Sequence, residues 1–170
     1  MKTLVCFGDS NTWGFDPRDP LDCRLEAPWP SLLEQHYIVK NLGLNGRTLS
    51  YAPDLAGALS QADCLVLLLG SNDLLQGGEP RYIALAMEDL IRSLPEGLPV
   101  LLLGLPPIRL PGFQQPLEEL NGLYEALAQR YCLGFLSLSG LTVAYDGVHL
   151  TEDSHRLLAR MVFRVLEELL

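Results

Sequence analysis

The chain has 170 residues, a formal net charge of −9, a hydrophobic share of 48% and a charged share of 19%. This length and composition predict one domain over residues 1–170. Because a strongly acidic chain repels phosphate backbones, we expect no nucleic-acid partner. No stretch approaches the roughly 20 apolar residues that span a bilayer, and no apolar leader precedes the first strand. We therefore expect a soluble, cytoplasmic protein without membrane insertion, whose oligomeric state the sequence leaves open.

Five short apolar runs predict five strands. Three of them are continuous and end at a glycine, as in strands buried on both faces, at residues 4–7, 65–69 and 100–103. Weaker patterns predict strands at residues 37–39 and 135–136.

Helical patterns alternate with these strands, at residues 29–35, 54–60, 82–94 and 117–131. A last helix is predicted after Thr151, a candidate N-cap followed by two acidic residues. Its apolar stripe consists of Leu158, Met161, Val162, Val165 and Leu169. This order predicts an α/β fold with a parallel sheet covered on both faces, in which ligands bind beyond the carboxyl ends of the strands.

Two segments contain residues suited to nucleophilic catalysis. Ser10 lies in a sharp turn after the first buried strand, where its hydroxyl would be exposed beside free backbone N–H groups. His149 lies before the last helix, three residues after Asp146. An imidazole can take the proton of a serine hydroxyl and return it, while a carboxylate fixes the ring's tautomer. Alone, the serine turn is equally typical of a helix cap, and a lone loop histidine is more often a surface group.

Four separated segments resemble, in order, the four conserved blocks of the SGNH hydrolases, the GDSL-type esterases and lipases. They are residues 7–14 (Phe-Gly-Asp-Ser-Asn-Thr-Trp-Gly), 41–48 (Asn-Leu-Gly-Leu-Asn-Gly-Arg-Thr), 70–73 (Gly-Ser-Asn-Asp) and 146–151 (Asp-Gly-Val-His-Leu-Thr). The resemblance, strongest to arylesterase-like members, covers essentially the whole chain. It implies a three-layer α/β/α sandwich with a flavodoxin-like, five-stranded parallel sheet. The α/β-hydrolase fold is disfavoured because Gly-x-Ser-x-Gly is missing.

The same resemblance implies a role for each matching residue. Ser10 becomes the nucleophile, His149 the base and Asp146 the residue that orients the base. The oxyanion hole would consist of the backbone N–H groups of Ser10 and Gly46 and the side-chain amide of Asn72. Gly46 is preferred to Gly43 because it fits the family's Gly-Arg-Thr pattern.

Candidate pocket residues are less specific. The family's usual leucine after the serine is Asn11 here, which predicts a more polar pocket wall. Trp13 and Phe15 are candidates for the acyl pocket or for core packing. Leu74 and Ile108 are candidates for the pocket or for an interface.

The remaining polar residues are expected to have supporting or surface roles. Asp9 is expected to support the serine turn and Asp73 to cap the next segment. Arg47 is expected to form a local salt bridge or to point to solvent, and His36 and His155 to lie on the surface. Because the cysteines lack C-x-x-C spacing and the three histidines are scattered, we expect neither a metal nor a cofactor.

The sequence thus predicts a serine esterase that hydrolyses small carboxylic esters through an acyl-enzyme on Ser10. Short loops leave little room for a lid, which favours an open site and acyl transfer to other alcohols as a side activity. A thioesterase, lysophospholipase or carbohydrate O-deacetylase would use the same residues. A non-catalytic flavodoxin-like module that binds a phosphate or nucleotide at residues 8–11 is the alternative of another class, but it would not need Asp146 and His149 together.

Overall fold

The computed structural model describes residues 1–19, 21, 23–50 and 55–170. Within these residues, five strands form one parallel sheet in the order β2-β1-β3-β4-β5, which is the flavodoxin-like order. Helices cover both faces of the sheet. The strands are β1 (Thr3–Gly8), β2 (Ile38–Gly43), β3 (Cys64–Leu68), β4 (Val100–Leu103) and β5 (Gly134–Leu136). All five predicted strands and the predicted fold class are therefore confirmed.

The central strands are apolar throughout because neighbouring strands and covering helices exclude water from both faces. Every residue of β3 and of β4 is buried. The edge strand β2 has no fully buried residue, which explains its weaker sequence pattern.

Six α-helices lie in the described residues; the fourth and fifth begin and end within three residues of their predicted bounds, and the sixth begins directly after Thr151 as predicted. They are α1 (Ser10–Trp13), α2 (Leu55–Leu59), α3 (Ser71–Leu75), α4 (Pro80–Arg92), α5 (Gln114–Arg130) and α6 (Glu152–Leu169). Thr151 caps α6 as predicted, since its side chain accepts a hydrogen bond from the Ser154 N–H at 3.1 Å. The predicted start of α2 at residue 54 lies outside the described residues. None of the described helices combines the length and the apolar character that a membrane span requires.

The α-helix predicted at residues 29–35 is wrong. Only a single 3₁₀ turn forms there, at Ser31–Leu33. The Leu33 and Glu34 N–H groups donate to the carbonyls three residues earlier, Pro30 O and Ser31 O, which is the tighter 3₁₀ pattern, and the Trp29 N–H donates to the ring of His155. The segment then joins β2 directly, because the Ile38 N–H donates to Lys2 O at 2.9 Å.

The sheet register brings the ends of three strands together. Gly8 at the end of β1 pairs with Gly43 of β2 on one side and with Leu68 of β3 on the other. A Cβ on Gly8 would collide with the Thr12 side chain, and one on Gly43 would collide with the Trp13 backbone. Both glycines therefore allow α1 to turn closely over the carboxyl edge of the sheet, where the predicted functional residues lie.

Candidate active site

Ser10 is the first residue of the one-turn helix α1. Asp9 caps this helix, because its side chain accepts a hydrogen bond from the Asn11 N–H at 2.9 Å, which confirms the predicted support of the turn. The helix ends at Gly14, where φ is +98° and a Cβ would collide with Pro28. The turn is thus held at both ends, and it presents the Ser10 hydroxyl beyond β1.

Ser10, His149 and Asp146 form a continuous chain of hydrogen bonds. Ser10 Oγ lies 2.9 Å from His149 Nε2, and His149 Nδ1 lies 2.5 Å from Asp146 Oδ2. Partial burial by itself raises the pKa of Asp146, but hydrogen bonds from the His149 ring and from two backbone N–H groups together hold that pKa below its usual range. Because an ionised carboxylate only accepts, Nδ1 is the donor to Asp146 and Nε2 is left to accept from the serine hydroxyl.

The turn that contains these two residues is fixed by its own backbone. Asp146 Oδ1 accepts from the N–H groups of Val148 and His149 at 3.0 Å each. Gly147, with a φ of +76°, has its carbonyl bonded to the Arg109 N–H at 2.8 Å. The carboxylate and the imidazole are therefore oriented before any substrate arrives.

The predicted oxyanion donors lie on the neighbouring loops. The loop after β2 is fastened to β1, because the Leu44 N–H and Arg47 Nε both donate to Gly8 O at 3.1 Å. Gly46 lies in this loop, exposed, with a φ of +75° and with no atom within 4 Å of an added Cβ. Asn72, the second residue of α3, donates from Nδ2 to Arg47 O at 3.0 Å. The loops after β1, β2 and β3 thus meet at one edge of the sheet.

For Arg47 the solvent-facing alternative is excluded, and for Asp73 the expected cap is wrong. Arg47 does not point to solvent, since it is 8% exposed and its guanidinium lies 4.2 Å from the centre of the Phe7 ring. Asp73 does not cap the next helix; it accepts instead from the Leu49 N–H at 3.3 Å. Both side chains reach back towards the sheet or a neighbouring loop, a choice that local sequence does not reveal.

The structure distributes the candidate pocket residues among different environments. Asn11 is 2% exposed and its amide is bonded to backbone, which does not support a place in the pocket wall. Leu74 lies in the core. Trp13 is half-buried, with the Arg24 guanidinium 5.3 Å from its ring centre. Ile108 lines a cavity of about 480 Å³ between the segment after β4 and α5, and Ser10, His149 and Asn72 do not line it.

Phe15 contacts the base. Its ring centre lies 4.5 Å from that of His149, at an interplanar angle of 39°. This contact shields one side of the imidazole. The sequence offered only a choice between pocket and packing for Phe15.

His155 is the clearest error among the predicted polar residues. It was expected on the surface but is 0% exposed, and its Nδ1 accepts from the Trp29 N–H at 3.1 Å. Burial, followed by the nearby His149, lowers the pKa of His155 to about 4. Its spacing of three residues before Leu158 and seven before Val162 places it on the predicted apolar stripe, and that spacing could have indicated burial.

Burial also affects Asp9 strongly. It is 2% exposed, and desolvation raises its pKa to about 6, although the hydrogen bond from the Asn11 N–H and the nearby His149 act in the opposite direction. The nearby Asp73 carboxylate adds to the increase. Asp9 therefore combines a capping role with a buried, titratable carboxyl group.

This fold, with serine, histidine and aspartate joined by hydrogen bonds at the carboxyl edge of a parallel sheet, defines a serine ester hydrolase. The chain belongs to the GDSL-like lipase/acylhydrolase family, whose model matches residues 6–157. Membership confirms the family that the four sequence segments resemble, and it makes the chain a carboxylic ester hydrolase.

Several solved structures are similar over almost the whole chain. A carbohydrate acetylesterase family member from Sinorhizobium meliloti is 29% identical over 99% of both chains, with a TM-score of 0.83. The native aryl esterase of M. smegmatis is 27% identical over 100% of both chains, with a TM-score of 0.84. Est24, a carbohydrate acetylesterase from Sinorhizobium meliloti, is 25% identical over 100% of both chains, with a TM-score of 0.82. No curated protein sequence matches the chain significantly.

Proposed function

We propose that the chain hydrolyses small carboxylic esters through an acyl-enzyme on Ser10. The observation that supports this most strongly is the hydrogen-bonded chain from Ser10 Oγ through the His149 ring to Asp146. A neutral serine hydroxyl is a weak nucleophile, and a base at 2.9 Å with its other nitrogen bonded to a carboxylate is the arrangement that activates it.

The reaction has two matched halves. Ser10 Oγ forms a bond to the carbonyl carbon while its proton moves to His149 Nε2, and the imidazolium then gives that proton to the leaving alkoxide. Water next loses a proton to His149 and attacks the acyl-enzyme, after which the proton returns to Ser10 as the acid leaves. Asp146 stays ionised throughout and stabilises the transient imidazolium, in line with its lowered pKa.

Three donors would stabilise the tetrahedral oxyanion. The Ser10 N–H lies at the start of α1, and the Gly46 N–H lies in an exposed turn where the backbone can approach substrate closely. Asn72 uses one Nδ2 hydrogen on Arg47 O, so the second hydrogen is left for the oxyanion. Removing one such donor typically slows catalysis by about 10²–10³-fold.

The substrate class we propose is short-chain esters, with aryl and carbohydrate acetates as the first candidates. The names of the similar structures, an aryl esterase and two carbohydrate acetylesterase members, support this choice. Carbohydrate O-deacetylation is thus the favoured variant of the same chemistry. A cytoplasmic location and the lack of a nucleic-acid partner remain predictions from the sequence.

Covalent labelling with a fluorophosphonate tests the proposed nucleophile. We expect wild type to be labelled at Ser10 and Ser10→Ala to be unlabelled and inactive on p-nitrophenyl acetate. Ser71→Ala is the matched control, because Ser71 also begins a one-turn helix after a strand and is buried, and it should stay labelled. An unlabelled wild type, or a labelled Ser10→Ala, would contradict the proposal.

Rates measured side by side would test the substrate class. We expect p-nitrophenyl acetate, p-nitrophenyl butyrate and acetylated sugars to be hydrolysed faster than long-chain esters, acyl-CoA or lysophospholipid. A strong preference for long acyl chains would exclude the short-chain assignment while leaving the nucleophile unaffected.

A further inference from the structure

Asn11 lies beside the proposed nucleophile and bonds to both sides of the proposed base. Its Oδ1 accepts from the Leu150 N–H at 2.9 Å, and its Nδ2 donates to Val148 O at 3.3 Å. Val148 and Leu150 are the residues directly before and after His149. One side chain thus connects the helix that begins with Ser10 to the backbone on both sides of His149.

We propose that Asn11 is a positioning residue that holds the His149 ring at the distance from Ser10 that proton transfer requires. This proposal rests on the proposed function of Ser10 and His149. Proton transfer from Ser10 Oγ to His149 Nε2 depends on their separation of 2.9 Å. The two residues are 139 positions apart in the chain, so tertiary contacts must fix this distance. A displacement of about 1 Å at a reacting group can cost on the order of 10²-fold in rate.

The burial of Asn11 distinguishes this role from that of a pocket residue. The side chain is 2% exposed, and its amide oxygen and amide nitrogen are both bonded to the backbone around His149, so it is not accessible to a substrate. If the amide were removed, the Leu150 N–H would lose this partner in a buried position, and the loop would move to find another.

The backbone of Asn11 is held from a second direction. Its carbonyl accepts from Trp29 Nε1 at 3.1 Å, and the Trp29 N–H donates to His155 Nδ1 at 3.1 Å. His155 lies on α6, the helix that follows the His149 turn. Asn11 is therefore part of a buried hydrogen-bond network that links α1, the segment before β2 and α6.

Asn11→Leu tests the proposal, since leucine has a similar size but forms neither hydrogen bond. We expect kcat to fall by about 10- to 100-fold, equally for p-nitrophenyl acetate and butyrate, with KM changed less than about twofold. The rate of fluorophosphonate labelling at Ser10 should fall by a similar factor. Asn11→Asp keeps the acceptor for the Leu150 N–H, so it should lose less activity, and it replaces Asn11→Leu where the latter does not fold.

Asn121→Leu is the matched control. Asn121 also bonds two backbone atoms, accepting from Leu105 N at 2.7 Å and donating to Leu105 O at 3.4 Å, but it fastens α5 to the segment after β4. It should lower the melting temperature while kcat stays within about threefold of wild type. If wild type is labelled but the kcat of Asn11→Leu is no lower than that of Asn121→Leu, the positioning role is overturned and the proposed function is not. A KM change that differs between acetyl and butyryl esters would also overturn it, in favour of a pocket wall. An unlabelled wild type would overturn the proposed function, and this inference with it.

Discussion

The two sides of the proposed active site are built differently. The base side, formed by Ser10 and the turn from Asp146 to His149, is a chain of hydrogen bonds in which every side-chain nitrogen and oxygen of Ser10, Asp146 and His149 has a protein partner. The oxyanion side, formed by Gly46 and Asn72, is more open. Gly46 is exposed, and in the described part of the chain its N–H donates to no protein acceptor.

This difference matches the tasks that we propose for the two sides. A base must hold one tautomer and one distance before substrate binds, so its partners belong to the protein. Oxyanion donors must be free to bond an oxygen that becomes negative only during the reaction, so open N–H groups in fixed positions suit them. Changes on the base side should therefore disturb proton transfer, and changes on the oxyanion side should weaken binding of the transition state.

The largest effect is expected for Asp146→Asn. An amide facing His149 Nδ1 would favour the wrong tautomer and could not stabilise an imidazolium, so kcat should fall by about 10⁴-fold. Steady-state kinetics on p-nitrophenyl acetate measure this loss. Asp153→Asn makes the same chemical change at an exposed carboxylate in the first turn of α6 and should keep wild-type activity. Equal activity of the two variants would show that the base needs no carboxylate.

A smaller loss is expected for Asn72→Ala on the oxyanion side. Removing this amide should lower kcat by about 10²–10³-fold with little change in KM, because the donor acts on the transition state. The change also removes the bond to Arg47 O, so the melting temperature must be measured in parallel. A lower melting temperature with kcat preserved would assign Asn72 a structural role only.

The strands that position the site were predicted from the sequence more accurately than the contacts that hold its side chains in place. Strands β1, β3 and β4 are continuous apolar runs ended by glycine, and the register of parallel strands then brings Ser10, Gly46 and Asn72 to one edge. The supports depend on contacts between distant residues. Trp29 and His155 are 126 positions apart, and the buried ring of His155 accepts a hydrogen bond from the Trp29 N–H. Local patterns do not contain such information.

The smallest effect concerns stability, through one buried titratable group associated with each side. His155 supports the base side, and its pKa is lowered from 6.5 to about 4. The contribution of His155 to the free energy of unfolding is present above pH 6.5 and is lost as the pH falls towards 4, because the unfolded chain then binds the proton more readily than the folded chain. Asp9 lies near Asp73, which bonds to the loop of the oxyanion side, and its pKa is raised from 3.8 to about 6. The contribution of Asp9 to the free energy of unfolding is present below pH 3.8 and is lost as the pH rises towards 6.

The two contributions thus oppose each other between pH 4 and pH 6.5, and each amounts to about 3 kcal/mol at about 1.4 kcal/mol per pKa unit. Urea unfolding at several pH values separates them. Relative to wild type, the free energy of unfolding of Asp9→Asn should increase by about 3 kcal/mol as the pH rises from 4 to 7. That of His155→Gln should decrease, relative to wild type, by about as much over the same interval. All other titrating groups are common to the three proteins, so the differences isolate the two side chains. If the free energy of unfolding depended on pH in the same way for all three proteins, the burial of both groups would be contradicted. If only one variant differed from wild type by a constant amount at every pH, the group replaced in that variant would be the one that is open to solvent.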